Sequence, residues 1–214
     1  MNINDILHLD LEGILRDLGP LAMVIVCLII IAETGLLVGF FLPGDSLLFT
    51  VGLMIGTGLI DIPIWLACIL ISLSAIAGDQ LGYFIGRKAG PAVFKRPNSK
   101  FFSQKNAERA QVFFVKHGAK AVIFAHYVPI LRTFVPVAAG VGKMQYSYYL
   151  RNNVIGALSW GIIVPLIGFF LGQIQFVRDN VILVTLTLVA VSLIPVALEL
   201  IKARRNNLRS KETN

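Results

Sequence analysis

Charge is scarce in this chain. Only 14% of its 214 residues are Asp, Glu, Lys or Arg, against 56% hydrophobic, where a soluble domain averages about 25% charged residues. That scarcity excludes an ordinary soluble globule and points to a polytopic membrane protein with little soluble mass. Cysteine is nearly absent. Cys27 and Cys68 fall in apolar runs, with neither metal-ligand spacing nor a partner pattern, and read as small buried hydrophobes. Histidine is limited to His8, His117 and His126. No nucleophilic Ser or Cys stands at a recognisable spacing from a His base, and no Gly-rich phosphate loop exists. The Ser-Gly-His segment of an acid-phosphatase-type lipid phosphatase is missing as well. The residues therefore suggest no enzyme, no cofactor and no metal. A basic n-region is lacking too. The first twenty residues carry Asp5, Asp10, Glu12 and Asp17 against Arg16 alone, and do not read as a signal peptide. A net charge of +7 would suit a nucleic-acid partner, but the basic residues cluster beside apolar segments, as the positive-inside rule expects, and that placement argues against one.

What is present is apolar length. Residues 3–18 place Ile3, Ile6, Leu7, Leu11, Ile14, Leu15 and Leu18 on one face, predicting an interfacial amphipathic helix over 1–19. A single membrane domain then fills 20–202. An apolar segment runs from Leu21 to Phe41, breaks at Pro43-Gly44 and continues to Gly58. Ile62 to Gly86 is long enough to span, since a crossing needs about 20 residues. Residues 87–120 form a basic loop with an amphipathic stretch at Ala107 to Val115. A second broken segment, Ala121 to Gly142, is interrupted by Pro129 and Pro136. Asn153 to Gly172 and 181–201 read as spans, and 203–214 is a basic tail. The spacing also predicts an internal repeat. An offset of 86 pairs Pro43 with Pro129, Gly56 with Gly142, and Gly82-Tyr-Phe-Ile-Gly86 with Gly168-Phe-Phe-Leu-Gly172. The units run over about 33–86 and 119–172. With the basic loop and tail cytoplasmic, each unit contains one crossing, so the two are inverted, as in transporters. The fold class is an all-α polytopic membrane protein. It has two inverted repeats, each a proline-broken re-entrant hairpin plus a transmembrane helix, and an extra C-terminal span.

Against this apolar background the few charges stand out. Glu33 and Asp45 lie in the first broken segment. A charge at the bilayer centre costs at least about 2.5–3.5 kcal/mol, and irregular backbone at that depth is tolerated only where it is buried or lines a cavity. The pair predicts a site for protons or a polar headgroup. Asp45 also suits the N-terminus of a short helix, with Ser46 beside it. His126 and Arg132 lie in the second broken segment. Arg132 could bind a phosphate bidentately or pair with Glu33 or Asp45, and His126 is of the residue type whose unperturbed titration falls near physiological pH. Asp79, Ser46 and Thr133 are expected to line the same cavity. Pro43, Gly44, Pro129 and Pro136 shape the hairpins. Gly82, Gly86, Gly168 and Gly172 permit close helix contact, inside one chain or across a homodimer. Trp65 and Trp160 are interfacial or core aromatics. Arg87 and Lys88 read as topology anchors that also suit anionic lipid.

Several of these segments, in fixed order, resemble the bacterial DedA membrane proteins. They are Glu33…Phe41-Leu-Pro-Gly-Asp-Ser-Leu-Leu48, Gly78-Asp-Gln-Leu-Gly-Tyr-Phe-Ile-Gly-Arg87 and Pro129-Ile-Leu-Arg-Thr-Phe-Val-Pro136…Ala139-Gly140. Lys116-His-Gly118 and Asn153-x-x-Gly156-Ala-Leu-x-Trp160 fit as well, so the resemblance covers about 20–172. It implies bacterial inner-membrane proteins with two opposed re-entrant hairpins. Their implied activity is moving lipid between leaflets, notably undecaprenyl phosphate and in some relatives phosphatidylethanolamine, with proton coupling. It also implies two acidic and two basic functional residues. Glu33 and Asp45 match the acidic pair and Arg132 the second basic position. His126 stands where the family usually has arginine. The expected partner is thus a phospholipid or polyprenyl phosphate. A proton-coupled carrier of small solutes and a non-transporting envelope scaffold are the alternatives that the residues leave open.

Overall fold

The computed structural model describes residues 20–36, 44–93, 118, 120–180 and 187. The expected helices at 3–18 and 107–115, Pro43, nearly all of the last span and the basic tail lie outside the described residues. Those described form seven helices and no strand: α1 (Pro20–Gly35), α2 (Gly44–Gly56), α3 (Ile64–Val93), α4 (Lys120–Ala125), α5 (Pro129–Val141), α6 (Tyr146–Gly172) and α7 (Gln175–Asp179).

Two of these are long and apolar enough to cross a membrane, Ile64–Lys88 within α3 and all of α6. At 1.5 Å per residue each reaches about 38–40 Å, beyond the roughly 30 Å of hydrocarbon. The distribution of polarity is inverted relative to a soluble protein. Leu28, Trp65, Leu73, Ile163, Ile167 and Phe170 face outward, while Glu33, Asp79, His126, Arg132 and Asn153 are buried. Lipid is the solvent that such a surface suits.

Two local details differ from the sequence expectation. Pro129 does not interrupt a helix but starts one. It occupies the first position of α5, after Val128 in extended conformation, where its missing N–H costs nothing. The break lies just upstream, in the tight turn His126-Tyr127-Val128, whose three amides bond the carbonyls three residues back. Pro136 lies inside α5 without ending it, although it offers no N–H to the carbonyl of Arg132 four residues earlier. At the other end, α3 continues past Gly86 through Arg87 and Lys88, so the start of the basic region is helical.

Close packing follows the small residues. α2 lies along α6, and α5 lies along α3. In the first seam Gly52 and Gly56 sit against the carbonyls of Pro165 and Phe169, and Gly168 against that of Phe49. A Cβ on Gly52 would come within 1.9 Å of the Pro165 oxygen. In the second seam Gly86 meets the carbonyl of Val137, and Gly140 that of Tyr83. α1 crosses α3 where Gly35 lies on the backbone of Gly78. That crossing is next to Asp79 in sequence and two residues from Glu33, so the same contact brings both carboxylates inside.

Candidate functional site

The buried charges form two neighbouring clusters, both organised by one face of α6. Asn153, Gly156, Ala157 and Trp160 recur at helical spacing and are all buried. Asn153 and Gly156 serve one cluster and Trp160 the other. Seven residues of helix separate the extremes by about 10 Å.

The first cluster is built on the first turns of α2 and α5. Arg132 donates from Nη1 to Asp45 Oδ1 at 2.7 Å and from Nη2 to Glu33 Oε1. The guanidinium lies over the Trp160 ring, 4.4 Å from its centroid, and Trp160 Nε1 donates to the same Asp45 oxygen at 2.8 Å. Glu33 comes from the end of α1, and its carboxylate rests against the Cα of Gly44, where any side chain would collide with it. That contact explains a glycine at the first position of α2. It also sets the carboxylate at a helix N-terminus, where the dipole favours negative charge. Glu33 is 1% exposed and Arg132 2%, whereas the Asp45 side chain is 44% exposed. Asp45 is therefore the open side of the site. Arg132 Nε and Glu33 Oε2 are buried without a partner among the described residues. Ser46 and Thr133, adjacent in sequence to Asp45 and Arg132, are both buried.

The second cluster gathers His126, Asp79, Asn153 and Gln80. His126 Nε2 lies 3.0 Å from Asp79 Oδ2, and its Nδ1 lies 3.1 Å from the Val122 carbonyl. Asn153 Nδ2 donates to Asp79 Oδ2 at 2.6 Å, and Gln80 Nε2 donates to Asn153 Oδ1 at 3.1 Å. Tyr149 donates to the Asp79 carbonyl and stacks on Tyr83. Gly156 leaves the space the imidazole occupies.

The structure thus unites Glu33, Asp45 and Arg132, and places His126 and Asp79 elsewhere. Asp79 lies in the second cluster, apart from the exposed Asp45. It is 0% exposed and bonded to His126, which is 3% exposed. The reason is local. His126 opens the turn after α4 and reaches towards α3, while Arg132 has entered α5 and reaches towards α2. Trp160 was legible only as an aromatic. Nothing in the sequence marks its indole as both a platform for Arg132 and a donor to Asp45. The two roles separate by substitution. Trp160→Phe keeps a ring and loses the N–H, and should cost about 1 kcal/mol. Trp160→Leu removes the π face too and should cost about 0.5–2 kcal/mol more. Reversible unfolding in detergent measures both, and equal costs would show that the stacking contributes nothing.

The VTT domain family matches residues 42–170. The chain is 40% identical to the protein DedA of Escherichia coli K12, over 97% of this chain and 96% of that protein. It is 46% identical to an uncharacterized membrane protein of Mycobacterium leprae, over 78% of this chain and 74% of that one. It is 32% identical to the inner membrane protein YqjA of Escherichia coli K12, over 68% and 65%. No solved structure matches it. The matched region contains α2 to α5 and nearly all of α6, with every charged member of both clusters except Glu33, and with the full-length match to DedA it establishes that this chain is a membrane protein of the DedA family.

Proposed function

We propose that the chain moves the phosphorylated headgroup of a membrane lipid between leaflets, with undecaprenyl phosphate as the first candidate and phosphatidylethanolamine as the second. The observation that carries this reading is Arg132. It is a buried guanidinium whose one exposed partner, Asp45, is an anion that another anion can replace. A phosphate approaching past Asp45 takes that carboxylate's place on Nη1, at the end of the fork that Nη1 and Nη2 form. Arginine binds a phosphate through two N–H groups at once. Glu33 stays behind on Nη2 and keeps the guanidinium oriented, and Trp160 supports it from below. Release reverses the exchange, with Asp45 returning to the arginine. The lipid tails remain in hydrocarbon while the headgroup passes the polar break.

The architecture favours the same reading. Each short helix lies along the long helix of the other half, α2 on α6 and α5 on α3, as expected if two inverted repeats interlock around a site at their junction. In this reading the broken segments are opposed re-entrant hairpins of a bacterial inner-membrane protein, and the basic loop and tail are cytoplasmic.

The test is leaflet exchange in liposomes, using reportable undecaprenyl phosphate and phospholipids. Glu33→Gln and Arg132→Gln should each lower exchange by at least about 100-fold, the scale of a lost charge-assisted contact of about 3 kcal/mol, while the protein still inserts. Normal exchange in either variant would remove the site assignment. Movement of a soluble solute in place of any lipid would support a small-solute carrier.

A further inference from the structure

We propose that Asp79 and His126 form a second, proton-binding site, separate from the Glu33–Arg132–Asp45 cluster, and that its proton locks the turn carrying Arg132 against the long helices. The argument starts from counting hydrogens. The Val122 carbonyl can only accept, so its 3.1 Å contact with Nδ1 of His126 is a hydrogen bond when that nitrogen carries the hydrogen. A neutral imidazole then has a bare lone pair at Nε2. That nitrogen lies 3.0 Å from Asp79 Oδ2, an oxygen that also accepts from Asn153. A lone pair facing a carboxylate oxygen at that distance is repulsive. Keeping both contacts as hydrogen bonds therefore needs one further proton, held either as imidazolium and carboxylate or as imidazole and carboxylic acid.

The surroundings favour that proton. Asp79 Oδ1 is buried with no donor among the described residues, and an ionised carboxylate with one bare oxygen is costly in a dry site. A proton shared with His126 makes the pair neutral overall. The orientation of Asn153 is fixed from behind by Gln80, so its N–H faces Asp79 in either proton arrangement. Among the described residues, the other groups facing the pair are uncharged: Tyr149 from α6, and Tyr83 from α3 stacked on Tyr149. Among the described residues no lysine or arginine forms an ion pair with Asp79.

The position gives the proton leverage. His126 is the first residue of the turn 126–128 that joins α4 to α5, and Arg132 is in the first turn after it. Asp79 belongs to α3 and Asn153 to α6. With the proton in place, the turn is tied to both long helices. Without it, an imidazole that keeps its Nδ1–H on the Val122 carbonyl turns a bare lone pair to Oδ2, and the element carrying Arg132 is released from Asp79. The proton binding stands on this geometry alone. Its coupling to headgroup movement rests on the function proposed above.

The two parts are tested separately. For the first, the full chain carrying His8→Gln and His117→Gln leaves His126 as the one imidazole. It is labelled with nitrogen-15 and titrated in lipid nanodiscs. The expected result is an Nδ1 that stays protonated throughout and one titration step on Nε2. Asp79→Asn should move that step by at least about tenfold in proton concentration. Asn153→Ala, which removes the donor to Oδ2 together with Gln80's acceptor and leaves both titrating groups in place, serves the same purpose if Asp79→Asn fails to insert. An unprotonated Nδ1, or a step that neither variant moves, overturns the site. For the second part, leaflet exchange of undecaprenyl phosphate is measured across the same pH range. The wild-type rate should follow the step, and Asp79→Asn/His126→Gln should keep exchange but lose that dependence. An unchanged pH profile in the double variant overturns the coupling while the lipid reading survives. No wild-type exchange of any lipid removes the lipid reading and the coupling with it, and the nitrogen titration alone then decides the proton site.

Discussion

Replacing Arg132 with glutamine should destabilise the folded chain by about 3–5 kcal/mol, the usual cost of removing one partner from a buried ion pair. Adding Glu33→Gln to the same chain should recover most of that loss. The expectation follows from exposure. Glu33 has lost its solvent, and its anion depends on Arg132 for compensation; Asp45 keeps water on one side and can be resolvated. Glutamine at 132 strands the Glu33 carboxylate, whereas glutamines at both places leave two amides able to bond each other. Replacing a whole buried pair by neutral groups is often close to neutral in stability. Asp45→Asn should cost much less than Arg132→Gln, because an exposed partner contributes little. The double variant is the informative protein. It should fold and insert with nearly normal stability and still move no headgroup, since no guanidinium remains for a phosphate. Unfolding in detergent and leaflet exchange give the two readouts. A double variant no more stable than Arg132→Gln would mean that the loss came from packing on Trp160 and not from a stranded charge.

The sequence made this cluster legible because charge is so rare in the chain. Glu33, Asp45 and Arg132 each interrupt an apolar run, and burying them apart would be costlier than burying them together. The pairing of Arg132 with either acid was therefore available before any coordinates. The second cluster was not. Asp79 and His126 are 47 residues apart, and sequence spacing carries no sign that the turn after α4 faces the middle of α3. His126 near Arg132 in sequence suggested one shared task, but a turn between two helices sends neighbours in different directions. Prolines misled for a related reason. In sequence Pro129 and Pro136 suggest breaks, while in the fold the first is an ordinary helix start and the second is accommodated inside α5. The two long spans among the described residues were legible from length alone: α6 covers the expected segment and begins earlier, while α3 starts two residues later than expected and runs past Gly86.

The glycine seams were half legible, and they supply the second large effect. Gly168-x-x-x-Gly172 marks its face on α6, but its opposite wall, Gly52 and Gly56 on α2, was not singled out for packing. Gly52→Val should destabilise the chain by about 3 kcal/mol or more, at the upper end of overpacking. The group a new Cβ would strike is the Pro165 backbone carbonyl at 1.9 Å, not the movable end of a side chain. The helices must separate to admit it. Since α2 also carries Asp45 and α6 carries Trp160, the separation should weaken the 2.8 Å bond between them and lower headgroup exchange together with stability. Gly58→Ala is the control. Gly58 has open space around its Cα and a φ of +81°, so alanine there should cost only the left-handed backbone penalty of about 1–2 kcal/mol. It lies beyond the end of α2 and should leave exchange intact. Both variants lose stability in this account, but only one loses its site. A Gly58→Ala chain that stopped exchanging lipid would show that activity simply follows stability. A Gly52→Val chain with full exchange would show that the α2–α6 seam does not set the position of Asp45.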